Sequence, residues 1–264
     1  MLSLFAGLLA CGALLGGEKP VVGVFPTAET LPANHLKFYL HFPAPMAPGG
    51  VLEHLQLIDL TVNSRVEEPF RETELWDDAG QRLTLWLHPG RQKTGVNLNV
   101  DLGPILIEGH RYELRLLPGW RTEQGHDLGG AVLKSFTAGP RAAVQLQLDN
   151  WEVPPLAPAG SRLPFILRFP VPLDHALLQR CICVFKAEDG TVLVGTVHTG
   201  AGEKSWSFTP AEPWPSDARL ELRVLSLLED LAGNSLSRPF EVDLSAPSPA
   251  PVPAELRLPL RAQR

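Results

Sequence analysis

The chain has little cysteine, and what it has is poorly placed for cross-linking. Three cysteines stand among 264 residues. Cys11 lies in an apolar leader, while Cys181 and Cys183 sit two apart, where a strand points both side chains to one face and a mutual bridge would strain the backbone. A disulfide scaffold is excluded, and the pair reads as two small, half-buried thiols on a strand. Metal-ligand spacing is missing too: zinc needs four ligands, the eight histidines are scattered, and no partner cluster lies near the Cys-x-Cys pair. There is no excess of positive charge. With 23 Lys and Arg against 29 Asp and Glu, the net charge of −6 supplies no electrostatic footprint for nucleic acid. Also absent are a Gly-x-Ser-x-Gly elbow, a phosphate loop, a dinucleotide glycine pattern, His-Glu-x-x-His, and a cysteine paired with a plausible base. The chain is therefore read as a non-enzyme that calls for no cofactor and no metal. Glu74, Asp77 and Asp78 are the carboxylates a glycosidase would use, but adjacent acids in a polar loop are commonly solvated.

What is present begins with an apolar leader. The first seventeen residues carry no charge, and Glu18 and Lys19 are the first charged side chains. That run suits a signal h-region better than a bilayer span, which needs about 20 apolar residues. Residues 1–20 are assigned to export, and membrane contact is expected only through them. Within the leader, Leu8-Leu9-Ala10-Cys11 resembles the lipobox of bacterial lipoproteins, which makes Cys11 the lipid attachment site. No Lys or Arg precedes the apolar run and only ten residues precede the cysteine, so cleavage by the ordinary signal peptidase stays open. The expected location is the cell envelope, on a membrane's periplasmic or outer face.

Hydrophobic residues make up 44% of the chain, beside 23 glycines and 26 prolines, a composition that fits a real core divided among many short strands and turns. An internal repeat organises them. Leu36 to Met46 aligns with Leu163 to Leu173 at an offset of 127, and His54 to Leu57 with Cys181 to Val184 at the same offset. Leu85 to Pro89 matches Trp206 to Pro210 at 121, Arg111 to Leu117 matches Arg219 to Leu225 at 108, and Asp127 to Gly130 matches Asp230 to Gly233 at 103. The blocks alternate with period 2, so that Phe38, Leu40 and Phe42 face one way and Lys37, Tyr39 and His41 the other. Half-buried antiparallel strands with Pro, Gly and Asp turns predict an all-β fold of two tandem Ig-like antiparallel β-sandwiches. The units are placed at 21–140 and 141–245. Unit two is expected to open with a strand at Ala143–Leu148 and to close near Val242-Asp243-Leu244. Residues 246–264, with prolines at 247, 249, 251, 253 and 259, are expected to form an extended, disordered tail.

The Phe-Pro-x-Pro strand ends at 42–46 and 169–173, the block at 208–210, Arg219 to Leu225 and Glu229-Asp230-Leu231-Ala232-Gly233-Asn234-Ser235-Leu236 together resemble the bacterial Ig-like domain of the S-layer-protein (SbsA-like) kind. Unit two fits that pattern throughout. Unit one lacks the Asn of the final turn and is longer in its middle. Glu-Leu-Trp-Asp at 74–77, with Arg82 to Leu85 and Pro-Gly-Arg-x-Lys at 89–93, also resembles a group of bacterial envelope proteins. The resemblance implies an exported protein built of Ig-like modules and no chemistry, since such folds carry many unrelated functions.

Asp230 to Asn234 is expected to be a turn held by the Asp carboxylate, with Gly233 supplying positive φ, rather than a calcium loop, which would need more oxygens. Trp120, Trp206 and Trp214 align with Leu228, Leu85 and Leu106 and are expected in the cores; Trp151 is expected at the junction between units. Trp86 alternates outward. The falling offset places insertions of 6, 13 and 5 residues in unit one, the largest between Pro89 and Leu106. Long loops on a rigid sandwich are where binding usually lives. One reading makes Trp76, Trp86, Arg91 and Lys93 a recognition surface for an anionic or glycan partner, an envelope polysaccharide or protein. The other has Arg91 and Lys93 pair with Glu74, Asp77 or Asp78 to order the loops.

Overall fold

The computed structural model describes residues 22–93, 97–241 and 251–261. Cys11 and the expected closing strand at 242–244 lie outside them. The first part of the chain forms β1 (Gly23–Phe25), β2 (Thr30–Pro32), β3 (Lys37–His41), β4 (Leu55–Asp59), β5 (Ser64–Arg65), β6 (Leu75–Trp76), β7 (Arg82–Trp86), two short helices α1 (Pro89–Gln92) and α2 (Asn97–Leu102), β8 (Arg111–Leu116) and β9 (Ala131–Gly139). The second part forms β10 (Phe165–Arg168), α3 (His175–Leu178), β11 (Ile182–Lys186), β12 (Gly195–Thr199), β13 (Ser205–Pro210), β14 (Leu220–Leu225) and β15 (Glu255–Pro259).

Strand order is β1-β3-β7-β6 and β2-β9-β8-β4-β5 in unit one, and β10-β13-β12 and β11-β14-β15 in unit two. All neighbours are antiparallel except β2 and β9. The architecture is the all-β sandwich that period-2 alternation predicts: every second side chain enters a core between two sheets. Phe38 and Leu40 of β3 meet Leu57 of β4, Leu83 and Leu85 of β7 and Leu114 of β8 in one cluster. Phe165, Leu167, Val184, Trp206, Phe208 and Leu222 occupy the other.

The repeat can be checked against strand register. Leu57 pairs with Leu114, and Val184, its repeat partner, pairs with Leu222, as the offsets of 127 and 108 require. The other sheet moves the alignment by two residues. Leu40 pairs with Leu83 while its repeat partner Leu167 pairs with Trp206, so Trp206 stands in the place of Leu83 rather than Leu85. A slip of two keeps every side chain on its face, which is why the sequence pattern does not distinguish the two registers.

Three expectations need correction. The segment 143–148 forms no strand: Val144 is exposed, and Leu146 is held by one hydrogen bond from its N–H to the Ser235 carbonyl (3.2 Å). Trp151 packs on Phe169 with ring centroids 4.6 Å apart inside the second core, not at the junction. The tail is not all outside the fold. β15 pairs with β14 over five residues, Leu260 reaches the second core, and the Leu156 N–H donates to the Arg261 carbonyl (2.8 Å). Leu256, Leu258 and Leu260 alternate with charged or proline residues, a strand pattern that the preceding prolines masked.

Candidate functional site

The nominated residues do not form one surface. Arg91 is buried at 5% exposure. Its guanidinium donates to the carbonyls of Gly103 (3.0 Å), Leu102 and Pro104 (both 3.3 Å), and on the other side to those of Glu67 and Glu68. Burial pulls its pKa down, partly offset by Glu68. Arg91 thus supplies donors to loop carbonyls that would otherwise be orphaned, and it neither faces a ligand nor pairs with the nominated acids. Trp76 is half-buried against Phe42 and Trp120 (5.5 and 6.1 Å), its Nε1–H donating to Glu74 (3.1 Å). Glu74 also accepts from the N–H groups of Gly49 and Val51, and Asp77 from those of Gln81 and Arg82. These acids build turns; burial would raise the Asp77 pKa, but the Arg82 and Gln81 N–H groups outweigh it and hold it low.

The polar row of β3 meets the second unit instead. Lys37 Nζ lies 2.6 Å from Glu229 Oε1 and 3.0 Å from Asp174 Oδ2. Burial alone would lower the Lys37 pKa, but the two carboxylates outweigh it and raise it. Tyr39 donates its hydroxyl to Asp174 (2.8 Å), and burial with that neighbouring charge pushes its pKa up. Asp174 is meanwhile the N-cap of α3, accepting from the Leu177 N–H (2.9 Å). Beside it, Glu203 is 1% exposed and sits at φ 54°, unusual for a residue with a side chain. It accepts from the Thr27 N–H (2.8 Å) and hydroxyl (3.1 Å) and from the Ala28 N–H (3.3 Å). The His175 ring stacks on Phe25 at 3.6 Å.

The turn at 230–234 completes the junction. Asp230 Oδ1 accepts from the N–H groups of Ala232 (2.8 Å) and Asn234 (2.9 Å), as the turn reading requires, and Gly233 has φ 83°. A Cβ on Gly233 would stand 2.6 Å from Leu36 Cδ1, so glycine is needed for close approach as well. The turn thrusts Leu231, 6% exposed, into the first unit's core. Its carbonyl accepts from the Leu36 N–H (3.0 Å) and from His35 Nδ1 (3.2 Å). The repeat-equivalent Leu128 fills its own unit's core. The connection between units is pinned as well: the Ala142 carbonyl accepts from Asn34 Nδ2 (2.7 Å) and Asn234 Nδ2 (3.1 Å). Lys37, Tyr39, Glu203 and Leu231 carry no sequence signal of this role, because alternation marks a polar row without saying what covers it. Asp174 just before His175-Ala176-Leu177-Leu178 is a readable helix cap.

Trp86 and Lys93, the other nominated pair, line a cleft of about 560 Å³ between the units. Across from them stand Glu229, Ser237, Arg238 and Phe240 of the second unit. Lys37 Nζ lies 4.9 Å from the Trp86 ring centroid and Lys93 Nζ 4.7 Å from that of Phe240. Among the described residues, no cluster of three His, Cys, Asp or Glu could hold a metal, and no helix is long and apolar enough to cross a membrane. Cys181 is buried, with its thiol pushed up to about 11 chiefly by burial, and Cys183 is half-buried; both are free.

No family model and no curated protein sequence matches the chain. Among solved structures, surface layer protein SbsC, domains 1–6, aligns with 94% of this chain at 11% identity and TM-score 0.34. The chain spans about a quarter (26%) of that one's length. Titin-A168169 aligns over 93% of this chain and 97% of its own at 10% identity and TM-score 0.25. A marsupial T cell receptor does so over 93% and 62% at 9% and 0.23.

Proposed function

We propose that the chain is a non-enzymatic structural or spacer module of the cell envelope, exported through residues 1–20 and anchored by a lipid on Cys11, whose two Ig-like units of the S-layer kind act as one stiff body. The observation that carries the reading is Leu231 of the second unit buried in the first unit's core. Inter-domain contacts within a chain are usually polar and permit motion. Here an apolar side chain crosses the boundary, flanked by Lys37 with Asp174 and by Glu203 with Thr27. A spacer needs a fixed angle between its parts, and a side chain shared between cores supplies one. Glu74 and Asp77 of the inserted loop accept from backbone N–H groups, which orders the loop against the first unit.

Scanning calorimetry of the full-length mature protein tests this. Wild type is expected to unfold in one transition, and Leu231→Asp to split it into two, since a charge in an apolar core costs at least a few kcal/mol. Two separate transitions in the wild type would overturn the stiff-body reading.

A further inference from the structure

We infer that the cleft between the units binds an acidic oligosaccharide, with Trp86 as the stacking face and Lys93 and Arg238 as the anion-binding groups. Its volume of about 560 Å³ falls within the range typical of ligand sites. The chain as a whole is acidic, at −6. The cleft is not. Glu229 is committed to Lys37 at 2.6 Å, whereas among the described residues neither Lys93 nor Arg238 has a carboxylate partner. Two cations lining one concavity, with no carboxylate partner among the described residues, attract an anion.

The ligand's class follows from what the walls offer. A peptide added as a strand needs a run of free backbone donors, and along 235–240 four of these are spent. The Ser235 N–H donates to the Arg238 carbonyl, the Ser237 N–H to the Ser226 carbonyl, the Arg238 N–H to Ser235 Oγ, and the Phe240 N–H to Asn234 Oδ1. On the facing wall, the Trp86 carbonyl accepts from the Arg71 N–H. Side chains are left to read a ligand: aromatic rings on both walls, two cations and Ser237 Oγ, which lies 2.8 Å from Ser235 Oγ and can still accept. Flat rings match the C–H face of a pyranose, the cations a carboxylate on it, and the hydroxyl its polar rim. Both units contribute, so the site exists only while the junction is closed; it does not depend on the chain serving as a spacer.

The experiment titrates full-length mature protein with tetragalacturonate and, separately, with a hyaluronan hexasaccharide, followed by tryptophan fluorescence and calorimetry. At least one should bind saturably, more weakly as salt rises, and maltotetraose should bind much more weakly. Lys93→Gln with Arg238→Gln, on side chains outside both cores, should cut affinity by about tenfold or more while the protein still unfolds in a single transition. Trp86→Ala should lose a comparable factor. Absence of saturable binding by both acidic oligosaccharides overturns the inference, as does binding that the Lys93/Arg238 variant leaves unchanged. A Glu-rich tetrapeptide that binds as tightly and responds to the same variant would overturn the carbohydrate assignment.

Discussion

His35 shows how one side chain makes the junction sensitive to acid. Because the Leu231 carbonyl accepts from Nδ1, the ring is the tautomer that donates there, and Nε2 is buried without a partner. A proton on Nε2 would be a charge with no acceptor, and burial pushes the His35 pKa down to about 3. A depressed histidine contributes stability that is fully present above its ordinary value of 6.5 and is lost as pH falls toward the folded value. His41, also lowered by burial and by His175, acts in the same direction. Urea midpoints should therefore drop between about pH 6.5 and 5, before most carboxylates take up protons. His35→Gln, though less stable at pH 7, should flatten that slope; an unchanged slope would refute the assignment. Among single residues the sequence was informative where a pattern constrains direction. Trp86 alternates outward and lines a cleft, and Asp230 holds its turn. It misled at Arg91, because an arginine in a glycine-flanked loop looks solvated until the carbonyls of the loops around it are counted.

Elements were legible to the extent that their cores are. Period 2 located β3, β4, β7, β8, β10, β11, β13 and β14, whose alternate side chains are apolar and buried. The same pattern was silent about β3's other row. Lys37, Tyr39 and His41 are what a solvated face would carry, yet α3 and the 229–234 turn cover them, and no local signal encodes a partner more than 130 residues away. β15 was missed for the opposite reason, as proline density outweighed a short alternation. Yet β15 lies beside β14 as β9 lies beside β8, so a strand beyond a proline-rich connection completes the second unit's sheet. Deleting residues 251–264 should strip that edge. Hydrogen exchange should then show lost protection of the β14 amides that pair with β15, with β8 unaffected, and a peptide spanning 251–264 added in trans should restore it. Retained protection in the truncated protein would show that β15 is dispensable.

At the scale of the molecule, the first described strand, β1, reaches the junction, where Phe25 stacks on His175. A lipid on Cys11, twelve residues before Gly23, would tether the body within about 40 Å of that strand. Metabolic palmitate labelling should mark the full-length protein and fail with Cys11→Ser, and globomycin should block its maturation. Soluble secretion without label would remove the anchor.

The two equivalent leucines carry a last consequence. Leu128 turns inward and Leu231 reaches outward, so duplication has produced a donor and a recipient rather than two like copies. The joint therefore has polarity: the second unit grips the first, while the first has spent its own leucine at home and has none to offer a neighbour placed before it. Exchanging the order of the units would leave Leu231 without a socket.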